Sequence, residues 1–142
     1  MLTEKDYCDY ETCVALKELG YKVPTSAYYM PKNSQLIFVI NQFRGGAAMD
    51  CFYSNNSLPK ECMASDFIDA PTMWEAQKWL REEKNIIVEV FVDDDSDTPI
   101  TYNIYKDGEC VCHHHGKYWS VKEWSESLSE GIKEAVRILK EK

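Results

Sequence analysis

Cys110-Val-Cys112-His-His-His115 is the densest run of metal-compatible side chains in the sequence. Residues two apart on a strand point to the same side, so Cys110, Cys112 and His114 would share a face and one ion. Thiolate and imidazole are zinc ligands, and zinc is the metal this set would take. A fourth position would fall to Cys51, Cys62 or water. No second spaced cysteine pair accompanies the run. The plain alternative is two small, half-buried thiols beside surface histidines.

Other chemistry is thinner. Asp93, Asp95 and Asp97 alternate like the start of a calcium loop. Thr98 stands where that loop needs glycine, and Ile104 where it needs a bidentate glutamate, so the run reads as a solvated acidic turn. A cysteine nucleophile needs a base within reach and an oxyanion donor, and the only histidines are three neighbours, His113 to His115. There is no Gly-x-Ser-x-Gly elbow and no His-Glu-x-x-His, and Gly45-Gly46 is not followed by Lys-Ser/Thr. No catalytic or cofactor-binding residue is assigned, and an enzyme is not expected.

The elements that would position these residues follow from local chemistry. Asp9 caps a first helix that runs to Leu19, with Thr12, Ala15, Leu16 and Leu19 on one stripe and Gly20 ending it. Ala27 to Met30 and Leu36 to Ile40 read as a hairpin across Pro31-Lys32-Asn33-Ser34. Periodicity then fails from Asn41 to Ile68, a long irregular stretch. A second helix starts near Asp69 or Thr72, where Thr72 and Glu75 have capping-box spacing. Met73, Ala76 and Leu80 lie on its apolar face, beside Trp79. Ile86 to Val92 is a strand with Val88, Val90 and Val92 pointing inward.

Asp107-Gly108 suits a two-residue type I′ turn. An unbroken register from it pairs Lys106 with Glu109, Ile104 with Val111 and Tyr102 with His113 on a core face. It pairs Tyr105 with Cys110, Asn103 with Cys112 and Thr101 with His114 on the other. A last helix ends near Lys140, with Trp124, Leu128, Ile132, Ala135, Val136 and Leu139 as its stripe. Its start falls at Ser120 or Ser125. The expected fold is α+β: an antiparallel β-meander with helices on one face, in the order α-β-β-(irregular)-α-β-β-β-α. The 142 residues fit one domain spanning 1–142. The last five elements share their order with double-stranded-RNA-binding domains, but acidic helices oppose that function.

Six cysteines in a chain with no signal-peptide pattern are expected to be reduced thiols in the cytoplasm. No apolar run approaches the ~20 residues of a membrane helix. The net charge is −8. Residues 69–142 carry 16 acids against 10 bases, and residues 1–68 carry 8 against 6. Such a surface repels phosphate backbones and favours basic partners. Trp79 and Trp124 are expected in the core, and Trp74 and Trp119 as surface anchors. The second sheet face carries Ile87, Phe91, Tyr105, Cys110 and Cys112, too apolar to face water freely.

Three segments, Asp9 to Gly20, Ala70 to Lys84 and Gly131 to Ala135, resemble small uncharacterised proteins encoded in prophages and mobile elements of Bacteroidales bacteria. The resemblance implies a bacterial cytoplasm and a phage or mobile-element origin, and no reaction. The leading expectation is a non-enzymatic module that binds a protein partner, or a second copy of itself, through Ile87, Phe91, Tyr105, Trp74 and Trp119, or through the Asn41–Ile68 segment. Two alternatives are an acidic nucleic-acid mimic acting on a host DNA-binding enzyme, which would need Asp93 to Asp97, and a small zinc protein using Cys110, Cys112 and His114.

Overall fold

The computed structural model describes residues 3–30, 34–38, 67–92, 100–113 and 123–141. The chain divides into two compact units, Met1–Thr72 and Met73–Lys142. The class is α+β, in roughly the order read from the sequence. The predicted meander is the sheet of the second unit, and the first unit has a sheet of its own.

In the first unit, a 3-10 turn at Glu4–Asp6 leads into α1, Tyr10–Glu18. Asp9 stays extended at φ −74° and its carboxylate accepts the Thr12 N–H at 2.8 Å, satisfying an orphan donor of the first turn. The helix ends where Gly20 adopts φ +103°. Tyr21 N–H then reaches back to the Leu16 carbonyl and Gly20 N–H to that of Lys17, a complete Schellman closure. Thr12, Cys13 and Leu16 form the buried side of α1.

Strand β1, Ala27–Met30, lies between β2, Gln35–Phe38, and β3, Ile68–Asp69, both antiparallel to it. Tyr29 pairs with Leu36 on one side and Ile68 on the other. The hairpin read between Ala27 and Ile40 is therefore present over its described residues. Asp69, read as a helix start, is instead a buried strand residue opposite Tyr28.

In the second unit α2, Met73–Lys84, buries Met73, Ala76, Trp79 and Leu80. Asn85 turns the chain at φ +52°; its side-chain amide donates to the Asp107 carboxylate, and its main-chain carbonyl accepts the Asp107 N–H. Strands β4 (Ile86–Val92), β5 (Ile100–Lys106) and β6 (Glu109–His113) follow in sheet order β4-β5-β6. Asp107 and Gly108 take φ of +53° and +87°, the two positive angles of the type I′ turn the dipeptide predicts. Helix α3, Trp124–Lys140, buries Leu128, Ile132, Ala135 and Val136 and packs on β4 and β5.

Two readings of the core are corrected. Val92 is 52% exposed, because β4 is an edge strand and its last residues lose cover. Trp124 is 39% exposed: as the first residue of α3 it has no preceding turn to pack against. The helix starts there, after Glu123, which makes no side-chain cap bond; Ser125 is already its second residue, and Ser120 lies outside the described residues. No helix among the described residues is long and apolar enough to cross a membrane.

Candidate functional site

Central strand β5 sets the two faces of the second sheet. Ile104 pairs with Val88, and Tyr102 with Val90, on the face against α3. Tyr105 pairs with Ile87, and Thr101 with Phe91, on the opposite face. That opposite face is covered at one end and open at the other. Thr101 and Asn103 are buried, Phe91 and Tyr105 are half-buried, and Ile87 is 41% exposed. Glu89 stands exposed between Ile87 and Phe91. The Tyr105 hydroxyl accepts from the Asn103 amide at 3.4 Å, which tethers its polar tip and leaves the ring presented.

The cysteine strand departs from its predicted register. Glu109 and Cys110 pair with Lys106 and Tyr105 as read, but Ile104 then pairs with Cys112 and Asn103 with His113. Val111 is the extra residue of a β-bulge, and it is 47% exposed where the unbroken register put it in the core. The bulge advances the strand by one residue. Cys110 therefore stays opposite Tyr105, exposed, and Cys112 falls opposite Ile104, on the α3 face. Burial raises the Cys112 thiol above its ordinary value, and nearby Glu134 and Cys110 add to the rise. The shared side assumed for a zinc set is thus corrected for these two sulfurs. Among the described residues no group of three His, Cys, Asp or Glu side chains is placed to hold a metal ion, and His114 lies outside the described residues.

Of the other predicted surface residues, Trp74 is 45% exposed on α2, and Trp119 lies outside the described residues. Trp79 is buried as expected, with Lys84 Nζ 5.4 Å from its ring centroid. The acidic run Asp93 to Asp97 is also outside the described residues.

Tyr102, buried under α3, has a titration with a measurable consequence. Its phenol is pushed up to about 12 from 10.0, first by burial and then by Cys112, Glu134 and Glu130, with Arg137 opposing. The folded chain therefore keeps this proton after the unfolded chain has lost it. Its contribution to stability is complete below about pH 10 and is lost as pH rises towards about 12. Tyr102→Phe should flatten part of the alkaline loss of stability, read as urea midpoints across that window. An unchanged slope would remove Tyr102 from the account.

The first unit carries an open notch of about 390 Å³ lined by Glu4, Tyr7, Asp9, Tyr29, Ser34, Gln35 and Leu36. Beneath it the Tyr29 hydroxyl donates to the Cys8 carbonyl at 2.8 Å, and Tyr7 and Ser26 share a 2.8 Å hydroxyl bond. Burial, with Cys13 and Asp9 nearby, raises the Tyr29 phenol. The sequence marks none of this, because Glu4, Asp9 and Leu36 come from separate elements that only the fold brings together.

The class these features define is a small α+β protein, with two three-stranded antiparallel sheets among the described residues, the second open on part of one face. Compared with known proteins, the chain matches no family model, no curated protein and no solved structure.

Proposed function

We propose that the protein is a non-enzymatic interaction module that docks a protein partner on the open end of the second sheet. The observation that carries this reading is the exposed Ile87, with Phe91 and Tyr105 half-buried on the same face. Apolar and aromatic side chains of this kind, once desolvated, supply most of the energy at protein interfaces. The occupant is a partner with an apolar centre and at least one basic group. Glu89 lies within the patch, and the chain carries a net charge of −8. Charge of this sign speeds encounter with a basic partner more than it tightens the final complex.

A bacterial cytoplasm, with a phage or mobile-element origin for the chain, is the setting proposed for that partner. The nucleic-acid-mimic reading rests on Asp93 to Asp97 and the zinc reading needs His114, and these lie outside the described residues.

Ile87→Asp tests the docking face. The side chain is 41% exposed, so the domain should fold normally while the patch gains a charge. Partner affinity should fall by ~30-fold or more, the loss typical of a central contact. Unchanged affinity in a folded variant would move the site elsewhere.

A further inference from the structure

Asp9 caps α1, which makes Cys8 the residue before the cap and Cys13 the fourth residue of the helix. Side chains at these two positions meet across the first turn, usually as an apolar staple. Here both are free thiols, 3% and 1% exposed. Cys13 Sγ lies 3.6 Å from the Cys8 carbonyl oxygen, and Cys8 Sγ lies 4.0 Å from the Thr72 carbonyl oxygen. A lone buried cysteine packs like a small hydrophobe. A second thiol at the facing position adds a resolving partner.

We infer that Cys8 and Cys13 form a reversible disulfide pair, a redox modification site at the start of α1, with a small-molecule disulfide of the glutathione type as oxidant. The Cys8 sulfur, having given up its proton, attacks one sulfur of the oxidant. The oxidant's S–S bond breaks, a mixed disulfide forms on Cys8, and one small thiol leaves with a proton. Cys13 then loses its proton, attacks the Cys8 sulfur and expels the second small thiol. Two protein thiols are oxidised, and one disulfide is reduced to two thiols. The order of attack follows from the surroundings. Burial, then the bond to Cys8, hold Cys13 well above its ordinary value, so it attacks second.

Access to the buried pair requires local opening, and the Glu4–Asp6 turn just ahead of Cys8 buries no residue. Segments with so little buried surface open at low cost. The bond would fasten a point already shared by several elements. Cys8 N–H donates to the Pro71 carbonyl, and the Cys8 carbonyl receives the Tyr29 hydroxyl.

The test exposes the full-length wild-type chain to oxidised glutathione under native conditions. Remaining thiols are then alkylated and the peptides mapped by mass. The expected product is a Cys8–Cys13 linked peptide lighter by two hydrogens. In Cys13→Ser, glutathione should stay trapped on Cys8, and in Cys8→Ser, Cys13 should react far more slowly. The inference is overturned if both residues remain alkylatable while exposed Cys110 is consumed. It is equally overturned if the link forms only in denaturant, or if Cys13 takes the adduct as fast as Cys8. The wild-type map stands even where a serine variant fails to fold.

Discussion

Replacing Gly131 by valine is expected to destabilise the second unit by ~3 kcal/mol or more, the upper part of the range for overpacking. A Cβ built on Gly131 meets Val88 Cγ1 at 2.5 Å and the Tyr102 ring at 3.3 Å. Neither neighbour yields easily. Val88 is stiff at χ1, and both residues sit in paired strands that fix their backbones. Alanine at the same place meets the same contacts but regains ~1 kcal/mol of helix propensity, so its net loss should be smaller. Chemical denaturation of the three proteins would order them wild type, alanine, valine. A valine variant as stable as wild type would mean that α3 does not approach the sheet so closely.

Ile104→Ala is expected to cost ~2–5 kcal/mol, the range for truncating a buried aliphatic side chain without collapse of the site. Ile104 has no exposure, sits on the central strand between Val88 and Cys112, and faces α3. Its counterpart on the open face gives the contrast. Ile87→Ala should change stability by less than ~0.5 kcal/mol, as surface changes do. Equal losses at the two positions would contradict the assignment of faces. The same pair of denaturation curves therefore bears on the docking surface as well as on the core.

What the sequence made legible was local. Asp9, Gly20 and Asp107-Gly108 each announce a backbone geometry that side-chain chemistry or a missing Cβ demands, and each adopts it. The stripes of α2 and α3 follow from spacing alone, apart from Trp124 at an end where spacing ignores the missing turn. The bulge at Val111 was invisible. Valine suits an unbroken strand, and nothing in Cys110-Val111-Cys112 asks for an extra residue. A single-residue shift was enough to send the two sulfurs to different faces. For the candidate sites, Ile87, Phe91 and Tyr105 were legible as one face through period-two alternation. Which end of that face stays open was not, because it depends on what covers Thr101 and Asn103. Gly131 is visible in sequence only as a weak point in a helix. Its meaning comes from Val88 and Tyr102, which are distant in the chain.

The most direct measurement is a parallel capture from a lysate of the proposed bacterial host with wild-type protein and Ile87→Asp, the two shown to be equally folded. Bound protein and nucleic acid would both be identified, at low and high salt. The expected result is one protein retained stoichiometrically by wild type and lost from Ile87→Asp, with salt slowing its association more than it speeds its release. Recovery of the same partners by both baits, or of nucleic acid alone, would contradict docking on the open face of the second sheet.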